Sequence, residues 1–398
     1  MSCRVLVSGF IAVVAASCSG GTTSRRVVAT SRLDPAPVVV AGDGSAVDPI
    51  PLSGATCLAR SSTRINTING AVPTSTRLDA PLDGTTLDLR AATYTGDGTI
   101  SATTGEANIY PVLLGKARPT SGMCVIGGSV PGTMNPAMTW PQMKAEKPQT
   151  DGRSVYFDAA ALTEYARGDA PHLVDGFRVD NVGDAVAARG SFATTRTLPV
   201  DGGNFFVRNA YFTNVHDDCV DLNDFISGVV FDSLLDGCYT GFSQRPDRQS
   251  PLRHEVAPKG DQFVLDHVLV RMAGFPGPHP THQCPAGTRS GYNQIFKWSP
   301  GANQLVVRHA VFLLDRAPCS DRFFPFPPNS RLQDVTIVWT GSGGWRWPRP
   351  PGVRVTGDRS AWNKARLTWL QRHGCPDTSA TVAATSNPCS RLTDPLLR

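Results

Sequence analysis

The chain has 398 residues, 40% of them hydrophobic and only 18% charged, with a net charge of +5 at neutral pH. That is ample apolar chain for a large core. The mild positive balance, with no Lys/Arg run and no aromatic–basic pattern beside the arginines between Arg331 and Arg398, sets nucleic acid aside as a partner.

The chain opens on "MSCRVLVSGFIAVVAASCSGG". An early Arg is followed by an apolar run from Val5 to Ala16, too short to span a bilayer and of the length of a signal-peptide core. It closes on small residues before Cys18. This resembles the lipobox of bacterial lipoproteins, with Ala15 where Leu is usual, and implies a signal peptide with a lipobox-like end over 1–18, in which Cys18 is acylated and becomes the mature N-terminus. The expected location is then the cell envelope, on the extracytoplasmic side and held by lipid alone, or the medium. Residues 19–55, rich in Ser, Thr, Gly, Ala and Val, read as a flexible, disordered tether.

The body, 56–345, is built of short β-type runs: 85–89, 123–132, 174–182, 205–215, 228–238, 263–270, 305–314 and 332–339. Each pairs alternating apolar positions around a polar step, often Asp, Asn or His. None is followed by a helix-length pattern, which argues against βαβ units. Proline-rich loops interrupt the series at 136–148 and 274–291. The tail, 346–398, starts with "WPRPPG" and continues into a helical stretch over 359–373, with Trp362, Ala365, Leu367, Trp369 and Leu370 as its apolar face.

Two runs align. "VDGFRVDNVGDAV" matches "VRNAYFTNVHDDCV", which puts Asn181-Val182 over Asn214-Val215 and Asp184 over Asp217. A further Asp-Gly-Cys phrase follows at Asp236. Unequal repeats of β-runs without helices predict an all-β fold, a right-handed parallel β-helix (solenoid) with a short C-terminal helical cap, in preference to a β-sandwich with its evenly spaced strands. A monomer is expected.

Eight cysteines lie beyond Cys18, and an even number in an exported chain predicts disulfides. Cys375 and Cys389 are the expected local pair. Cys219 and Cys238 should be neighbours on adjacent coils, bonded or stacked as buried thiols, and the thiol reading is preferred.

Residues in step on successive coils lie about 4.8 Å apart. Asp184, Asp217 and Asp236 would then form a file of carboxylates, which repel unless solvated, protonated or neutralised by a cation. A solvated edge is one reading. A second is Ca²⁺, a hard ion that takes several carboxylate oxygens, bound by Asp184, Asp217 and Asp236. It would acidify the C5 proton of a uronate for removal by Arg245. A third is hydrolysis by paired carboxylates on neighbouring coils, which needs Asp217 and Asp218 at a turn if both are to face a substrate. His216 beside them is a candidate acid or base. Tyr239, Phe242, Trp298, Trp345 and Trp347 could stack on sugar rings. "HPTHQC", with His279, His282 and Cys284, offers a weaker transition-metal set.

These rungs resemble the right-handed parallel β-helix superfamily of pectate lyases and polygalacturonases. "DDCVDL" is similar to the Asp-Asp-Cys-Ile phrase of polygalacturonases, a likeness that implies a hydrolytic role for Asp217 and Asp218. Asn181 and Asp184 match that family's Asn-x-Asp element with one extra residue between them, and its Gly-His-Gly and Arg-x-Lys elements are absent. The phrases HDDC, DGCY and RP, from His216, Asp236 and Arg245, look most like bacterial β-helix repeat proteins. The resemblance implies an exported β-helix protein that binds or cleaves an acidic polysaccharide, as lyase or hydrolase. The alternative is a non-catalytic carbohydrate-binding or scaffold β-helix at the cell surface.

Overall fold

A computed structural model of the chain describes residues 65–73, 76–78, 82–95, 110–116, 118–132, 161–166, 172–190, 204–224, 226–245, 262–274, 292–315 and 326–375. The chain divides into two units, Met1–Gly54 and Ala55–Arg398, and all the described residues belong to the second. The leader, Cys18 and the tether therefore lie outside them, as do His279, His282, Cys284 and Cys389.

The strands in chain order are β1 (Ile65–Val72), β2 (Thr76–Leu78), β3 (Thr86–Tyr94), β4 (Val112–Leu114), β5 (Cys124–Pro131), β6 (Leu162–Ala166) and β7 (His172–Asp175). Then come β8 (Arg178–Asp180), β9 (Val186–Gly190), β10 (Asn204–Arg208), β11 (Tyr211–Leu222), β12 (Ser227–Phe231) and β13 (Leu234–Gln244). The series ends with β14 (Gln262–Asp266), β15 (Leu269–Met272), β16 (Gln294–Trp298), β17 (Gln304–Leu314), β18 (Arg331–Trp339), β19 (Val353–Thr356) and one helix, α1 (Arg359–Arg372).

Every strand pairing among the described residues is parallel, and each joins a strand to one on the preceding or following coil. This is the parallel β-helix that the unequal repeats predict. Its rungs continue past residue 345, because β19 adds to β18.

The pairings sort into three faces. One stacks the starts of β3 and β5 with β7, β10, β12, β14 and the start of β17. The second stacks the end of β5 with β8, the starts of β11 and β13, β15, the end of β17, β18 and β19. The third stacks β2, β4, β6, β9, the ends of β11 and β13, and β16. On the second face Val130, Val179, Phe212, Leu235, Val270, Phe312 and Ile337 fall in register, all buried and all in one core cluster. Each contributes about 1.5–3 kcal/mol by leaving water.

The polar steps noted within the runs are the corners of the coil. Asn209, Asp232, His267, His309 and Asp334 all have φ between 42° and 55°, in the left-handed region that turns the chain between the first and second faces. They follow one another up the stack: Asn209 N donates to Phe231 O, Asp232 N to Asp266 O and His267 N to Arg308 O. Short polar residues are the non-glycine types that enter this region most readily. A second corner stacks Asn181, Asn214 and Gly237, all with positive φ.

Asp358 caps α1 by accepting from the backbone N–H of Ser360. Trp362, Trp369 and Leu370 of the helix pack on Tyr211, Leu234, Leu269, Leu313 and Val338. Those partners come from successive rungs of the second face, so the C-terminal helix lies along the side of the stack. Leu367, expected on its apolar face, is exposed.

The buried-thiol reading of Cys219 and Cys238 is overturned. They form a disulfide, with Cα atoms 5.7 Å apart. Cys238 faces Val215 rather than Cys219, but the pairing shifts between Val215 and Asp218 and swings Cys219 into bonding range. Cys124 and Cys375 each take part in a disulfide as well, not with one another.

Candidate functional site

The same shift builds the acid site. In a regular strand Asp217 and Asp218 would face opposite ways. At the irregularity in β11 they converge, together with Asp184 from the coil below. Each of the three offers a carboxylate oxygen, and the three oxygens lie within 4.8 Å of one another. Backbone pairing fixes the approach: Asp217 N donates to Gly183 O, Ala185 N donates to Asp218 O, and Asp218 N donates to Asp184 Oδ1 at 2.8 Å. The predicted adjacency of Asp184 and Asp217 holds.

Asp236 does not join them. Its strand neighbours are Thr213 and Arg271, not Asp217. Burial pushes its carboxyl pKa up, but ion pairs to Arg271 and Arg366 outweigh that and hold it below the usual carboxylate value. A carboxylate already held by two guanidinium groups, one from β15 and one from α1, is a clamp for the helix, and its assignment as a metal ligand is withdrawn. The interval in the sequence between Cys219 and Cys238 measures the disulfide, not the coil.

The group missed in the sequence is Lys297, on β16 of the third face. Its Nζ donates to Asp218 Oδ2 at 2.7 Å and stands 4.0 Å from Asp217 Oδ1. Burial pushes the ammonium pKa down, but Asp218 and Asp217 outweigh it and leave the group above the usual lysine value. The Asp218 carboxyl is pushed up to about 6, first by burial and then by Asp217 and Asp221, with Lys297 pulling the other way. Its Oδ1 is buried without a hydrogen-bond partner. Asp184 and Asp217 remain half-exposed. The cluster therefore has one inner carboxyl that can carry a proton near neutral pH and two outer ones in reach of solvent.

His216 is not an acid or base of this site. Burial lowers its pKa to about 3, so the ring is neutral, and its Nε2 lies 2.7 Å from Asn181 Oδ1. It braces the corner. Arg245 follows β13 directly, accepts at its backbone oxygen from Asp224 N, and lies near enough to oppose the Lys297 charge. It borders the site without entering the carboxylate group. Tyr239 lies close enough to Asp217 to feel its charge; burial first, then that charge, raises its phenol pKa and keeps it protonated. Phe242 is wholly buried in the core, and Trp298 packs on Phe263 and Phe296. Trp345 and Trp347 pack on each other and on Trp339. These aromatic groups serve packing.

Fold and site together define a parallel β-helix protein with a carboxylate trio and a half-buried lysine on one corner. The chain matches no protein-family model, no curated protein and no solved structure.

Proposed function

We propose that this chain is a polysaccharide-processing β-helix protein of the pectate lyase and polygalacturonase type, exported and lipid-anchored through Cys18, that binds and cleaves an acidic polysaccharide at Asp184, Asp217 and Asp218. The observation that carries the reading is the meeting of three carboxylates from neighbouring coils, one of them titrating near 6. A protonated and an ionised carboxyl side by side are what general acid–base cleavage of a glycosidic bond requires, and oxygens under 5 Å apart are close to the spacing of about 5 Å in retaining glycosidases. Asp218 is the acid, and Asp217, with Asp184 beside it, the nucleophile or base. Arg245 on the border clamps a uronate carboxylate.

The trio could also hold a cation. Lys297 argues for acid–base work instead, because its ammonium already lies against Asp217 and Asp218 and supplies positive charge a calcium ion would otherwise bring.

Incubation of the full chain with polygalacturonate, alginate and related polymers tests this. Expected are new reducing ends without unsaturated ends, insensitivity to chelator, and a fall of about 10²–10⁴-fold in the Asp217→Asn/Asp218→Asn protein. Unsaturated ends that vanish with chelator would assign the calcium lyase chemistry. No cleavage of any polymer, with the fold intact, would leave the scaffold reading standing.

A further inference from the structure

At the other corner of the coil, two consecutive rungs place histidine in the left-handed column: His267 follows β14, and His309 lies within β17. Their rings face each other with centroids 4.6 Å apart. Asp266, wholly buried, sits between them and Arg308. Its Oδ1 is 2.8 Å from His309 Nδ1 and 2.8 Å from His267 Nδ1. The first contact is a hydrogen bond. The second has the distance without the alignment, so both ring nitrogens of His267 are buried with no hydrogen-bond partner. Asp266 Oδ2 also lacks one, although Arg308 lies 3.1 Å away.

We infer that Asp266, His267 and His309 form a site for a divalent transition-metal ion of the zinc class. Two imidazole nitrogens and one carboxylate oxygen are a borderline-soft donor set, which suits Zn²⁺ and disfavours Ca²⁺ and Mg²⁺. One donor atom from each residue lies within 4.8 Å of the others. Nitrogen–oxygen separations of 2.8 Å need widen by only about 0.5 Å to reach the edge of a zinc tetrahedron with bonds near 2 Å. Arg308, a neighbour that opposes a cation, lies against Oδ2 and leaves Oδ1 to the metal, as an outer partner that orients a ligating carboxylate. Three protein ligands leave a fourth position open to water or an anion. The ion would join two consecutive rungs, and the site shares no residue with the carboxylate trio.

The test uses full-length protein stripped with chelator, titrated with Zn²⁺ by calorimetry and with Co²⁺ by visible absorption. The comparison protein is His267→Asn/His309→Asn, since Asn209 shows that asparagine fits this corner. Expected is a tight equivalent with Kd below about 1 μM, tetrahedral cobalt bands, and a loss of more than about 100-fold in affinity for that equivalent in the variant. Ca²⁺ should not compete, and Asp217→Asn/Asp218→Asn should keep the equivalent. Absence of the tight equivalent from the parent protein, or its retention in a folded double variant, overturns the assignment. If the double variant unfolds, His309→Asn alone must lower the affinity by more than about 10-fold; unchanged affinity there overturns it equally.

Discussion

Replacing Lys297 with methionine removes the ammonium while keeping a stem of similar volume. The effect on stability should depend on pH in a calculable way. The Asp218 carboxyl moves from 3.8 to about 6 on folding, so its ionisation in the folded chain costs about 3 kcal/mol more than in the unfolded one. A carboxyl whose pKa rises on folding binds its proton more tightly when folded. Its contribution is fully favourable below about pH 4, declines as pH rises to about 6, and then levels off. Without Lys297 the inner carboxyl stays protonated to higher pH and the decline continues. At pH 7.5 a carboxyl held neutral against an unfolded value of 3.8 costs about 5 kcal/mol, which caps the added loss at about 2 kcal/mol. At pH 5 the group is mostly protonated in both proteins and the added loss is close to zero. Urea unfolding of parent and variant at the two pH values, followed by circular dichroism, measures this difference. An equal loss at both, or a larger one at pH 5, would refute the placement of Lys297 as counter-charge to Asp218.

Two further predictions follow from the interior. Glu164 is wholly buried on β6, where it accepts from Thr120 and pairs with His172 at 2.5 Å, in register with Leu114 and Ala188. Glu164→Leu should cost about 1–3 kcal/mol by removing the hydrogen-bond partner that Thr120 and His172 share, while Glu164→Leu/His172→Phe should recover much of it; equal loss in both, by urea midpoint, would count against a buried hydrogen-bonded pair. The Cys219–Cys238 bridge closes a loop of sequence separation 19, so Cys219→Ser/Cys238→Ser should lower stability by about 3 kcal/mol, read as a fall in Tm under non-reducing conditions that keep the parent's bridge intact. An unchanged Tm would show that the corner is held by packing alone.

The eight runs read in the sequence all fall on strands, and they supply the first two faces of the coil. The third face was largely hidden. Its strands are short or polar, such as "VAARG" at β9 and "QIFKW" at β16, and carry little of the β-branched alternation that marks a strand. Lys297 lies on that face, after a proline-rich stretch of sequence, and no phrase in the sequence ties it to Asp217. The proposed metal corner was half visible: "LDH" and "VRH" each set a histidine at the polar step of an apolar run, but only the stacking of rungs shows that they meet.

The sequence by itself determined the solenoid, because a core shared between coils demands that each coil repeat its apolar alternation and break it with a residue able to turn left-handed. It also brought Asp184, Asp217 and Asp218 to notice. Register was decided only in three dimensions. One slipped residue in β11 turns two consecutive acids toward the same point and lets Cys219 reach Cys238, while Asp236, in regular register with Thr213 and Arg271, falls beside the arginines of the helix side. A strand's side chains change face with every residue, so a shift that the repeat pattern tolerates reassigns each neighbour beyond it.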